Sequence, residues 1–143
     1  MTAQPTTPEQ TTSPLADASS LRGLCAGAVH LPGDPGYDAA RMPWNVAVQQ
    51  HPAAVAYPAT PDEVVDVVRA ATAAGLQVAA QGTGHNAGPL GALGDAVLVR
   101  TSAMRDVVVD PEARTARVGA GALWIDVVDA VAPYGLAALH GSS

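Results

Sequence analysis

Lysine is absent from this chain, and so is phenylalanine. Without lysine there is no Walker-type P-loop, whose lysine reaches the terminal phosphates of a nucleotide. The seven basic residues are all arginine and are outnumbered by thirteen carboxylates, leaving a net charge of −6. That balance opposes nucleic-acid binding, which needs clustered positive charge. A single cysteine, Cys25, excludes an internal disulfide and a cysteine-based zinc site. With only Arg22 nearby to lower its pKa, Cys25 reads as a small buried apolar residue rather than a reactive thiol. Aromatic residues make up 3% of the chain, so the hydrophobic content of 48% is carried by alanine and valine. Such a core gains little per side chain and depends on close backbone packing. Long apolar runs are missing too. The stretch 21–31 is short and broken by Gly23 and Gly27, and the N-terminus lacks the basic and apolar regions of a signal peptide. The expectation is a cytoplasmic protein with neither a nucleic-acid nor a membrane partner.

What is present has a clear order. Residues 1–16, rich in Thr, Pro and Gln, read as a disordered leader. A helical or irregular segment follows over 17–51, in which Asp17 or Ser19 caps a short helix through Leu21, Leu24 and Cys25. Residues 31–37 are turn material. Trp44 reads as a core anchor. From residue 53 the pattern sharpens. Ala53 to Tyr57 is a short strand, and T-P-D-E at 60–63 supplies an N-cap threonine, a proline at the first helical position and a capping-box glutamate. The helix runs to about Ala74 with Val64, Val67, Val68 and Ala71 on one face, and Gly75 suits its C-terminal end. Leu76 to Ala80 reads as a buried strand parallel to the first, completing a β-α-β unit. Ala96 to Val99 is another buried strand. Val107 to Val109 and Ala116 to Val118 flank a turn as an antiparallel pair. Trp124, Val127, Val128 and Val131 mark a second amphipathic helix, and Leu136 to Leu139 a last short strand. Asp126, Asp129 and Glu112 read as solvated outward faces. The fold class is α+β.

The chemistry concentrates at Q-G-T-G-H-N-A-G-P, 81–89. Three glycines, Gly82, Gly84 and Gly88, free the backbone to take φ > 0 and to bring main-chain N–H groups against a ligand, an arrangement that forms concave anion sites. Gly82-x-Gly84-x-x-Ala87 matches the dinucleotide fingerprint literally. That fingerprint needs a helix starting at the loop, and Gly88, Pro89, Gly91 and Gly94 prevent one. The histidines His30, His51, His85 and His140 lack the spacing and acidic partners of a zinc site. Ser142 and Ser143 lack the following glycine of a nucleophile elbow. A phosphate-cradling loop outside the dinucleotide-binding fold remains, served by further turns at Thr101-Ser102, Gly119-Ala120-Gly121 and Gly141-Ser142-Ser143. Ordinary loop punctuation remains open beside it.

Taken in order, P-A-A-V-A-Y-P-A-T-P-D-E-V, Q-G-T-G-H-N-A-G, V-R-T-S-A-M-R-D-V-V-V-D and R-V-G-A-G-A-L-W resemble the PCMH-type FAD-binding domain of the vanillyl-alcohol-oxidase superfamily. They are most similar to its berberine-bridge-enzyme-like flavoprotein oxidoreductases. Upstream, L-P-G-D-P-G-Y-D-A-A-R and W-N are similar to the same family's N-terminal segment. The resemblance implies a domain over 52–143: a first subdomain with a small mixed sheet and flanking helices, plus the start of a second. It implies an FAD-dependent, oxidase-type oxidoreductase passing a hydride from a small-molecule substrate to the flavin. In the family the loop matching Gln81, Gly82, Thr83, Gly84, His85, Asn86 and Ala87 wraps the FAD pyrophosphate, and the histidine matching His85 commonly bonds the flavin 8α-methyl carbon. Thr101, Ser102 and Met104 match a second flavin-contacting segment, Gly119 and Gly121 a third, and Gly141, Ser142 and Ser143 a fourth. Ser143 stands where bicovalent members carry a cysteine, so one covalent link is expected. The family continues into a substrate domain bearing the catalytic base, so the chain resembles an N-terminal portion. A non-catalytic fragment that does not hold FAD alone is the alternative.

Overall fold

The computed structural model describes residues 17–140. The expected leader and Gly141, Ser142 and Ser143 lie outside the described residues. The longest helix, α2 (Pro61–Ala73), starts where its sequence says it should. Thr60 is extended and its Oγ1 accepts the Glu63 N–H at 3.2 Å, a cap worth about 1 kcal/mol. The Glu63 carboxylate reaches one residue further back than a standard capping box, accepting the Ala59 N–H at 2.6 Å. Gly75 closes the helix at φ +71°, a conformation that costs glycine little.

The strands β1 (Val29–His30), β2 (Ala54–Ala56), β3 (Gln77–Gln81) and β4 (Ala96–Arg100) form one sheet in the order β1-β2-β4-β3. β2 and β3 both run parallel to β4, and β1 pairs antiparallel with β2. The two strands of the expected β-α-β unit are therefore parallel but not neighbours, because β4 fills the place between them. β2 and β4 are buried on both faces, which is why they read as unbroken apolar runs. On one face Ala54, Ala56, Val97 and Val99 meet Val67 and Ala71 of α2, together with Leu21, Cys25 and Val29. On the other, Val55 and Leu98 meet Tyr37 and Ala40 of the short helix α1 (Tyr37–Arg41). The Tyr37 hydroxyl donates to the Pro52 carbonyl at 2.6 Å.

A separate antiparallel hairpin, β5 (Val107–Asp110) with β6 (Thr115–Val118), precedes α3 (Trp124–Val131). No described helix is long and apolar enough to cross a membrane.

Several expectations are corrected. β3 is an edge strand whose Val78 is 40% exposed, since nothing in its own sequence fixes what pairs beyond it. Val68 faces solvent, and Ala70 and Ala74 join Val67 and Ala71 against the core instead. Trp44 is 75% exposed rather than a core anchor. The first helix is a 3-10 turn over Ala18–Leu21 capped by Asp17, whose carboxylate accepts the Ser19 N–H. Residues 136–140 form no strand. Asp126 is not a free surface charge but is engaged by Arg105 and Leu123.

Candidate cofactor site

Parallel pairing puts the C-terminal ends of β3 and β4 on the same edge of the sheet, where ligands of open α/β sheets bind. Gln81 and Arg100 are register partners, and the Thr101 N–H donates to the Gln81 carbonyl at 3.2 Å. The loops after them, 82–87 and 101–106, thus leave the sheet side by side.

The 101–106 loop is fastened to the residues before α3. Gly121 N–H donates to the Met104 carbonyl at 2.8 Å, Gly119 N–H to the Asp106 carbonyl at 2.7 Å, and the Thr101 hydroxyl to the Ala120 carbonyl at 2.9 Å. Both glycines are required by closeness. A Cβ on Gly121 would overlap the Thr101 carbonyl, and one on Gly119 would overlap that of Met104. Arg105 holds the start of α3 through a bidentate pair with Asp126, whose carboxylate also accepts the Leu123 N–H at 2.8 Å. The guanidinium first, then that N–H, holds the Asp126 carboxyl below the ordinary carboxylate range.

In the glycine loop the backbone is held from beneath. Gly84 is buried with φ +83°, over the side chains of Gln81 and Pro43. The Ala87 carbonyl accepts from the buried Gln50 amide at 3.4 Å, and the Thr83 carbonyl accepts the Trp44 N–H at 2.9 Å. The donors are another matter. Among the described residues, nothing accepts a hydrogen bond from the backbone N–H groups of Gly82, Thr83, Gly84, His85 or Asn86. All but Gly84 are exposed, so these donors are open to solvent or to a ligand, and a run of them on a glycine loop suits an anion.

Two cavities meet at this loop. One, of about 760 Å³, is lined by residues 80–86 together with Leu90, Ala122, Leu123, Trp124 and His140. The other, of about 430 Å³, is lined by Met42, Pro43, Trp44, Gly82, Thr83, Arg100, Ser102, Arg105, Gly121 and Leu123. In a chain of net charge −6, neither wall contains an Asp or Glu. His85 is exposed within the first cavity. Of the residues anticipated from sequence, Gln81, Gly82, Thr83, Gly84, His85 and Asn86 line the first cavity, while Ser102 and Gly121 line the second. Ala87, Thr101, Met104 and Gly119 line neither and act as fastenings. Trp44, Arg100, Leu123, Trp124 and His140 were not anticipated as site residues. Trp44, Arg100, Leu123 and Trp124 do fall within the family-like motifs W-N, V-R-T-S-A-M-R-D-V-V-V-D and R-V-G-A-G-A-L-W, whereas His140 falls in none of them.

A donor-rich, carboxylate-free groove of this size suits a large phosphate-bearing ligand, and comparison with known proteins agrees. Residues 52–142 match the FAD binding domain model. The chain belongs to that FAD binding domain family. Among curated proteins it is 30% identical over 115 residues to (R)-6-hydroxynicotine oxidase of Paenarthrobacter nicotinovorans, covering 80% of this chain and 25% of that protein. The crystal structure of 6-hydroxy-D-nicotine oxidase from Arthrobacter nicotinovorans superposes with a TM-score of 0.71 at 29% identity, over 79% of this chain and 25% of the other. BBE-like 1 of Physcomitrella patens gives a TM-score of 0.58 at 30% identity, over 65% and 21%. This member of the FAD binding domain family therefore spans about a quarter of the relatives' length. The resemblance to the berberine-bridge-enzyme-like flavoproteins and the small mixed sheet with few helices agree with these neighbours.

Proposed function

We propose that this chain is the FAD-binding portion of an FAD-dependent oxidoreductase of the oxidase type, with FAD tethered through His85. The observation that carries the reading is the run of unpaired amides from Gly82 to Asn86 in a groove free of carboxylates. These N–H groups hold the diphosphate by charge-assisted hydrogen bonds, and the bare Cα atoms of Gly82 and Gly84 let it approach the backbone. Gln50, Pro43 and the Trp44 N–H keep the loop in place from below. When bound, FAD supplies an acceptor for the hydride removed from a small-molecule substrate. His85, exposed in the larger cavity, presents an imidazole nitrogen for the single covalent link, and Ser143 offers no thiolate for a second.

Expression in flavin-replete cells followed by acid precipitation tests the tether. Yellow flavin stays with the pellet, and His85→Ala releases it to the supernatant. Flavin in the supernatant of the unsubstituted chain rejects the covalent assignment, and flavin retained by His85→Ala moves it to another residue.

A second reading is favoured by α3. Leu123, Trp124, Ile125 and Val128 are 40–58% exposed, an apolar stripe of the kind that marks an interaction surface. In this reading the chain holds FAD only when another polypeptide covers that stripe, and FAD titration of the isolated chain shows no saturable binding.

A further inference from the structure

We infer that Gln81 is a positioning residue whose carboxamide, buried beneath Gly84, shares an internal water with Arg100 and so sets the height of the glycine loop. Gln81 and Arg100 are register partners at the C-terminal ends of β3 and β4. Register partners on parallel strands project to the same face of the sheet, and residues two apart along a strand share a face. Arg100 therefore lies on the face where Leu98 meets Tyr37 and Ala40 of α1. The chain leaving α1 passes over the pair. Its Met42 carbonyl accepts from a terminal Arg100 nitrogen at 3.2 Å, and its Pro43 lies beside the Gln81 amide under Gly84.

Gln81 is 5% exposed. Both polar atoms of its carboxamide and the Arg100 Nε are shut off from solvent, and none of the three has a hydrogen-bond partner within the protein. A buried polar group left dry costs its full desolvation, and native interiors satisfy such groups with internal waters that bond two to four of them. The groups here are complementary. One water accepts the Arg100 Nε–H and donates to the Gln81 oxygen. At the far end of the loop the Ala87 carbonyl takes the Gln50 amide at 3.4 Å, while the Gln50 oxygen is buried and unpaired. The glycine loop thus rests on a buried carboxamide at each end. Because Gly84 sits on the Gln81 amide at φ +83°, that amide fixes how far the Thr83, Gly84 and His85 N–H groups stand off the sheet. The water needs no ligand, whereas the effect on affinity rests on the FAD reading above.

Rotating-frame magnetisation transfer from water to the isotopically labelled chain tests the site. The Gln81 side-chain NH2 protons and the Arg100 Nε–H each show a dipolar cross-peak to water, opposite in sign to exchange. A missing cross-peak at either group overturns the shared water, including the case in which the two side chains bond each other directly. Gln81→Met keeps the volume and removes the polar atoms, and Gln81→Glu keeps an acceptor. With methionine the Thr83, Gly84 and His85 amide resonances move while those of β2 stay, and the Arg100 cross-peak is lost. FAD then binds about tenfold more weakly, the scale of one well-made hydrogen bond. Glutamate restores the Arg100 cross-peak and part of the affinity. Where Gln81→Met does not fold, Gln81→Asn withdraws the carboxamide by one methylene and gives the same shifts. Loop amides that do not move overturn the positioning role, even where the water is seen. Loop amides that move while FAD affinity holds overturn its bearing on the cofactor. A parent chain that binds no FAD overturns the cofactor reading alone, and the loop amides then decide the positioning role by themselves.

Discussion

Gly84 lies directly over the Gln81 side chain: a Cβ on Gly84 would stand 2.8 Å from Gln81 Nε2 and equally close to Pro43 Cβ. The same carboxamide is buried, with neither its oxygen nor its nitrogen bonded within the protein. Gly84→Ala therefore adds a clash to the strain of φ +83°. About 1–3 kcal/mol for overpacking and about 1–2 for the left-handed backbone are expected. Gly82→Ala is the contrast. Its Cβ would find only Thr101 Oγ1, at 3.8 Å, so stability stays within about 0.5 kcal/mol. Urea midpoints separate the two, and FAD binding weakens in both because each alanine crowds the cradle.

The fastening of the second loop is tested by Thr101→Val. This residue is buried and its hydroxyl reaches the Ala120 carbonyl, so the loss is about 1 kcal/mol. Gly121→Ala costs more, because the Thr101 carbonyl occupies the space of the new methyl group. Chemical denaturation of both variants checks the ranking.

How far these features were legible in the sequence varied with how local their causes are. Thr60, Pro61 and Glu63 announce α2 within one turn, and the hairpin turn at 110–113 announces β5 and β6. β1 is only two residues long and exists because β2 lies beside it, so no window of its own sequence reveals it. Val68 shares the helical spacing of Val67 yet faces water, because the sheet meets α2 along Val67, Ala70, Ala71 and Ala74. Trp44 looked like core by residue type. It is exposed instead, and the bond that ties its backbone to Thr83, some forty positions away in the chain, is out of reach of any local window. The glycine loop is conspicuous in the sequence itself, whereas the flanking cavity walls come from segments that only the fold brings together.

The Arg105–Asp126 pair gives a pH dependence. The Asp126 carboxyl is depressed, as is that of Asp34 beside Arg22. A depressed carboxylate contributes stability in full above its unfolded pKa, about 3.9, and loses it as pH falls through the lower folded value. Thermal midpoints of the parent chain and Asp126→Asn thus differ near neutrality and converge in acid. A gap that stays constant across that range rejects the pair as the cause.

Cys25 is buried, and burial first, then the Glu63 and Asp66 carboxylates, raises its thiol pKa. A thiol-reactive dye labels the native chain slowly at neutral pH and the urea-unfolded chain within mixing. Fast labelling of the native chain means that the packing of Cys25 against Leu21 and Val67 opens readily.

The central claim is that the unpaired amides from Gly82 to Asn86 hold the FAD diphosphate. Amide chemical shifts of the isotopically labelled chain, recorded through an FAD titration, test it residue by residue. The account predicts saturable downfield shifts concentrated at Gly82, Thr83, Gly84, His85 and Asn86, with the β3 amides before them little changed. Shifts confined to other segments, or none at saturating FAD, contradict it.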